Sequence, residues 1–348
     1  MPDHHTEPRL TSLAHGGGCG CKLAPNVLAD ILSEMPLSLG HSDLIVDAGK
    51  SDDAAVYLIN ETTTLVATTD FFTPIVDDPH TFGRIAATNA LSDIFAMGAK
   101  PIFCLAIVGM PIGKIANETI RAILAGGRSV AEAAGAPIAG GHSIDSAEPI
   151  YGLVALGMGH PDKLLLNSNA QAGDVLILGK PLGIGIYSAA LKQELLSPAE
   201  YDEMVASTTR LNTPGTDLSE TSDVHAATDV TGFGLLGHAS EMARGAGLQI
   251  GIEKNKVPVF EGARHHAQSG IKTGASGRNW DSVSHMVTGQ MSAMETDLLC
   301  DPQTSGGLLV SCSPEAAHSV LETFRRHGHA DAAIIGRVES GAASVRVE

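Results

Sequence analysis

The chain has 348 residues, of which 43% are hydrophobic and 18% charged, so it is long enough for about two domains and too apolar to be disordered. Lys and Arg number 22 against 39 Asp and Glu, a formal net charge of −17 with no basic block, which excludes a protein that lies along a nucleic-acid backbone. Cysteines at 19, 21, 104, 300 and 312 make an odd number in a large chain, so free thiols are expected rather than a disulfide framework.

In chain order, Met1 to Arg9 is polar and acidic, unlike a signal peptide. The longest uncharged apolar stretches fall short of the ~20 residues a bilayer needs. A cytoplasmic protein without membrane attachment is therefore expected. Residues 1–22 end in His15-Gly16-Gly17-Gly18-Cys19-Gly20-Cys21-Lys22, a glycine-rich run without periodicity, and read as a mobile arm. Pro25 opens a helix with Val27, Leu28, Ile31, Leu32 and Met35 on one face. Strands follow at Ala54 to Ile59 and Thr64 to Thr69, the second running into Asp70, and Asp78-Pro79 caps a helix that continues to about Met97. A strand at Ile102 to Val108, a helix from Asn117 to Ala134, a short strand before Gly140-Gly141 and a strand at Ile150 to Leu156 complete a mixed α/β domain over 23–160.

Polar residues gather between Gly159 and Gly173 as a linker, and 161–348 reads as a second α/β domain. Its strands are expected at Val175 to Leu178, up to Asp229, and at Leu248 to Ile252, Leu308 to Ser311 and Ala333 to Val338. Helices are expected near Gly185 to Leu191, Pro198 to Arg210, Leu235 to Ala246 and Pro314 to His327.

The chemistry-bearing residues follow from this layout. Gly20-Cys21-Lys22-Leu23 lacks the Gly-Lys-Ser/Thr ending of a P-loop, and Gly183-Ile184-Gly185 lacks the third glycine of a dinucleotide fingerprint. Cys19 and Cys21 with His15 could ligate zinc, but no second cysteine pair follows at finger spacing. A thiol on a glycine loop beside Lys22 fits a nucleophile better, because a neighbouring cation favours the thiolate. Cys104, Cys300 and Cys312 sit in apolar settings and read as core. Asp53 precedes a strand, Asp70 and Asp229 end strands, and Asn89 and Asp93 share a helix face four residues apart. Each could be a turn or cap residue; as a set they suit divalent metal through oxygen ligands, with phosphate oxygens completing the coordination. Gly140-Gly141-His142-Ser143 can offer backbone N–H groups to an anion, and Gly274 to Asn279 reads as a glycine-rich turn with Arg278 as one candidate phosphate contact.

In order and spacing these segments closely resemble the selenophosphate synthetase (selenide, water dikinase) family. The resemblance rests on the arm from His15 to Lys22, Ser51-Asp52-Asp53, Thr68-Thr69-Asp70, Gly83 to Gly98, Gly140 to Asp145, Thr228 to His238 and Asp301-Pro302-Gln303-Thr304-Ser305-Gly306-Gly307. It implies an α/β, mixed α+β, two-domain fold of the aminoimidazole ribonucleotide synthetase type with a flexible arm, and a homodimer. It also implies ATP with several Mg²⁺ ions, K⁺ as activator, selenide and water as co-substrates, and a selenium-delivery protein as partner. By position, Cys19 and Lys22 are then catalytic. Asp53, Asp70, Asp93 and Asp229 bind metal, and Lys22, Asp70, Asn89, Asp93, Gly141, His142, Ser143 and Arg278 meet ATP or its phosphates. Two alternatives remain at this point: an ATP-dependent synthetase or kinase of the same superfamily acting on an organic acceptor, and a non-catalytic thiol or metal carrier.

Overall fold

A computed structural model describes residues 7–23, 27, 30–31, 40–47 and 52–348. The helix expected from Pro25 lies largely outside the described residues. Strands β1 (Leu44–Val46), β2 (Ala55–Asn60), β3 (Thr63–Phe72), β4 (Lys100–Met110), β5 (Ile138–Asp145) and β6 (Ile150–Gly159) form one sheet in the order β1-β2-β3-β6-β4-β5. All its pairings are antiparallel except β4 with β5. A second sheet, in the order β10-β13-β9-β12-β7-β11-β8, combines β7 (Val175–Leu178), β8 (Val224–Asp229), β9 (Gln249–Ile252), β10 (Val287–Thr288), β11 (Leu308–Cys312), β12 (Ala333–Glu339) and β13 (Ser344–Val347). Among the described residues, no helix is long and apolar enough to cross a membrane.

Helix α1 (Pro79–Ala96) starts where the sequence says it should. Asp78 accepts the Thr81 N–H at 2.7 Å and Pro79 occupies the first turn, where its missing N–H costs nothing. Its neighbour α2 (Asn117–Ala133) lies against it at backbone contact: a Cβ on Gly83 would stand 1.9 Å from Ile123 O, and one on Gly126 2.0 Å from His80 O. Small residues on α1 permit this approach and leave it buried on nearly every side.

The two sheets share packing through α1. Its last residue, Ala96, joins the cluster of Ile177, Leu308 and Phe324 from the second half. Asn212 donates to Ser92 Oγ at 2.7 Å and to Gly306 O at 2.8 Å, and a Cβ on Gly215 would meet Phe95 O at 1.9 Å. The second half also carries α3 (Ile184–Lys192), α4 (Pro198–Thr208), α5 (Pro214–Leu218), α6 (Gly234–Ala246), α7 (Glu261–Gln268), α8 (Gly274–Val283), α9 (Ala293–Leu299) and α10 (Ala317–Arg326).

Two local expectations change. Gly140 to Ser143 are not a turn after a strand but lie inside β5, because β4 supplies a parallel partner along their whole length. Gly274 to Asn279 begin α8, with Thr273 Oγ1 accepting the Ser276 N–H at 3.2 Å, rather than forming a turn.

Candidate active site

The described part of the arm makes specific contacts with the body of the protein. Glu7 accepts the Ala116 N–H at 2.5 Å, Arg9 pairs with Asp77 at 2.7 Å, and Gly18 donates to Thr73 O at 3.0 Å. Gly18 adopts φ +55, and a Cβ there would stand 2.3 Å from Thr304 Oγ1. Glycine is thus needed here for close approach as much as for freedom. The 3-10 turn Gly18–Cys21 carries Cys19 into the interior, where it is 1% exposed.

Three separate parts of the chain meet at Asn89. Its Oδ1 accepts the Ser305 N–H at 2.6 Å and the Cys19 thiol at 3.2 Å, while its Nδ2 donates to Asp70 Oδ2 at 2.5 Å. The Cys19 N–H donates to Thr304 Oγ1 at 3.0 Å, so the 301–307 loop clamps the cysteine from the other side. Lys22 Nζ reaches the same Asp70 oxygen at 3.1 Å. Asp93, one turn beyond Asn89, accepts the Thr68 hydroxyl at 2.5 Å, and Asp53 accepts the Thr228 hydroxyl at 2.8 Å, beside Asp229. Strand β3, helix α1, the loop before β2 and the end of β8 therefore bring Asp70, Asp93, Asp53 and Asp229 into one interacting group with Cys19 and Lys22, in which Cys19, Asp70 and Asp229 are buried and the others half-buried.

The charges in this group strain against burial. Desolvation, followed by the charges of Asp229 and Asp93, pushes the Asp53 carboxyl well above its ordinary range. Desolvation, Asp229 and Asp70 do the same to Asp93. Asp229 is raised by burial against the opposing pull of Ser92, His238 and Lys22. Burial alone would lower Lys22, but Asp70, Cys19 and Asp93 outweigh it and hold the ammonium well above its ordinary range as a fixed cation. The Cys19 thiol is pushed well up by burial, which the Lys22 charge opposes only in part. The thiolate expected from a neighbouring lysine is therefore not the form this arrangement favours.

The carboxyl group has the chemistry of a divalent-cation site. Its donors are hard oxygens, and Asp53 Oδ2 and Asp229 Oδ2 are buried with no hydrogen-bond partner. Among the described residues no three ligand side chains already converge on one metal position, His15 with Cys19 and Cys21 included. Mg²⁺ commonly takes only one or two protein carboxylates and completes its shell with phosphate oxygens and water, so the donor set fits a metal that arrives with a nucleotide.

Other expected residues stand apart. Gly141, His142 and Ser143 line a cavity of about 540 Å³ with Arg128 and Tyr151 that includes none of the aspartates. Arg278 lines another, of about 420 Å³, outside the arm, where its Nη2 donates to Gly20 O at 3.4 Å. Cys104, Cys300 and Cys312 are buried free thiols, as expected. The sequence reading did not assign Thr304 and Ser305 as site residues, although Ser305 sits at φ +51, a conformation uncommon outside glycine. It also passed over Lys180, fully buried with Nζ on Arg210 O (2.7 Å) and Ser305 O (2.8 Å), whose pKa burial lowers to about 7.

The AIR synthase related protein N-terminal domain model matches residues 51–159 and the corresponding C-terminal domain model matches 171–348. The chain is 58% identical over 345 residues to a selenide, water dikinase of Pseudomonas straminea, covering 98% of this chain and 96% of that protein. It is 57% identical over 342 residues to a selenide, water dikinase of Burkholderia pseudomallei strain K96243, covering 98% and 97%. Among solved structures, hydrogenase maturation protein HypE in complex with ATP aligns with a TM-score of 0.65 at 21% identity, covering 98% of this chain and 94% of that one, a likeness of fold.

Proposed function

Because the chain belongs to the selenide, water dikinase family, we propose that it transfers the γ-phosphoryl group of ATP to selenide and the β-phosphoryl group to water, giving selenophosphate, AMP and orthophosphate. The observation that carries this reading is the junction at Asn89, where Cys19 and Asp70 meet and Lys22 pairs with Asp70, within electrostatic reach of Asp53, Asp93 and Asp229.

In this reading Asp53, Asp70, Asp93 and Asp229 hold several Mg²⁺ ions, which supply Lewis-acid charge that makes a polyanion bindable and steadies the phosphoryl oxygens. K⁺ supports activity. Lys22 neutralises phosphate or selenide charge from its place against Asp70. Cys19 positions the selenium substrate without a covalent bond, its thiol kept protonated by burial. The arm excludes water during the first transfer and must yield before the second, since water has to reach the ADP-level intermediate.

The same reading includes a homodimer. Among the described residues no strand pairs with the outer edge of β5, and Phe71, Leu105 and Ile144 on its sheet are exposed large apolar residues, a surface that a second copy would cover. Gly141, His142 and Ser143 would then serve nucleotide phosphates across that interface.

Phosphorus NMR of ATP with the protein, with and without anaerobic selenide, tests the function. Selenophosphate and AMP are expected only with selenide, and Cys19→Ser or Lys22→Ala should abolish them. ADP with a phosphorylated organic acceptor, or no turnover at all, overturns the reading.

A further inference from the structure

The cavity outside the arm has a composition at odds with the rest of the molecule. In a chain of net charge −17, Lys192, Lys272 and Arg278 all line it, and among the described residues no Asp or Glu does. Lys192 Nζ lies 3.2 Å from Gly16 O and Arg278 Nη2 3.4 Å from Gly20 O, so cations bracket both ends of the turn that carries the cysteines. Both donate to backbone carbonyls, and among the described residues neither pairs with a carboxylate. Lys272 pairs with Asp297 at 3.0 Å, an exposed contact that screens it weakly. Cys21 is half-buried on the cavity wall, its thiol donating to Gly18 O at 3.0 Å. Thr304 lines the cavity too, and its Oγ1 holds the Cys19 N–H at 3.0 Å. One side chain therefore separates this space from the buried cysteine.

We propose that this cavity is the entry and docking site for the small monoanionic chalcogen substrate, hydroselenide in the reading above, on which the inference rests. Hydrogen selenide is ionised to HSe⁻ at neutral pH and would be repelled by the acidic surface at large; a local field of three cations raises its concentration beside the arm. The cavity offers no carboxylate to bind the Mg²⁺ that accompanies a nucleotide, so it suits a bare monoanion and leaves the metal-bound polyphosphate to the aspartates.

The site is tested in two independent ways on the full-length protein. Alkylation of Cys21 by anionic iodoacetate and neutral iodoacetamide, followed by mass spectrometry, reads the cavity's charge preference whether or not the chain makes selenophosphate. The iodoacetate-to-iodoacetamide rate ratio is expected to fall at least about threefold in Lys272→Gln/Arg278→Gln and to recover in Lys272→Arg/Arg278→Lys. In steady-state assays Lys192→Gln/Lys272→Gln, which leaves Arg278 in place, should raise KM for selenide at least about threefold, more at low than at high salt, with KM for ATP unmoved. An unchanged alkylation ratio, an unchanged selenide KM, or an equal rise in the KM for ATP overturns the inference. Absence of selenophosphate from the unaltered protein would instead overturn the reaction itself while the alkylation ratio still reported on the cavity.

Discussion

Asn89→Asp is a nearly isosteric change with a calculable effect. The aspartate keeps the acceptor used by the Ser305 N–H (2.6 Å) and the Cys19 thiol (3.2 Å), but turns the donor that meets Asp70 Oδ2 at 2.5 Å into a second carboxyl oxygen. Losing a hydrogen bond to a carboxyl group costs about 1.5–3 kcal/mol. Two carboxylates ~4 Å apart repel by about 4 kcal/mol at an effective dielectric constant of ~20, reduced here by Lys22, 3.1 Å from the same Asp70 oxygen. The pair escapes part of that repulsion by binding a proton, so its apparent folded pKa is raised. Such a pair stabilises below the ordinary carboxylate range and loses that stability as pH rises through the raised value. Urea unfolding should show the variant about 2–5 kcal/mol less stable than the unaltered protein near pH 8, with part of the loss recovered near pH 5. Asn89→Leu, which has neither donor nor acceptor, should be destabilised at both. An Asn89→Asp protein within about 1 kcal/mol of the unaltered one near pH 8, with no dependence on pH, would refute the junction as drawn.

Two further outcomes follow from packing and burial. A Cβ on Gly127 would stand 2.0 Å from the buried Tyr151 hydroxyl, whereas one on Gly277 meets nothing within 4 Å in α8. Gly127→Ala should therefore lose about 1–3 kcal/mol in thermal unfolding while Gly277→Ala gains up to about 1 kcal/mol; equal effects would contradict the helix contact. His329 is buried with Nε2–H donating to Leu211 O at 3.1 Å, and burial, with the Lys180 charge, lowers its pKa to about 3. Its folded pKa lies below the unfolded value of about 6.5, so its contribution is complete above that pH and is lost as pH falls toward 3, at about 1.4 kcal/mol per unit. His329→Gln should flatten the fall in urea midpoint between about pH 7 and pH 4, and parallel slopes would sink the assignment.

What the sequence disclosed depended on range. Asp78-Pro79 announced the start of α1 because capping is local, and the four-residue spacing of Asn89 and Asp93 put them on one face because helical geometry is fixed. That Asn89 would bind Ser305, 216 positions away, is a fact of how α1 packs against the 301–307 loop and could not be read from either segment. Gly140-Gly141 looked like a turn because glycine permits one; β5 instead uses Gly141 where a Cβ would strike Ala106 O at 2.1 Å on the neighbouring strand. The four aspartates stood out in the sequence because Asp53 precedes a strand, Asp70 and Asp229 end strands and Asp93 sits on a small-residue helix, positions that gain little from packing. The raised pKa of the Cys19 thiol did not, because the burial that causes it is set by the fold and Lys22, paired with Asp70, opposes it only in part. Lys180 carries no local signal of its burial, and only the fold sets it against Arg210 O and Ser305 O.

The position of α1 between the two sheets also bears on how the protein is made. Its covering residues, Asn212, Gly215 and Leu308, are synthesised long after it. At roughly 5–20 residues per second, the ~200 residues between Ala96 and Leu308 take about 10–40 s to emerge, during which an apolar helix waits on the ribosome without its second face. The two matched domains thus share one packed helix. The first half can form its own sheet early, but the helix carrying Asn89 and Asp93 reaches its final environment only near the end of translation, so the site is among the last features of the nascent chain to mature.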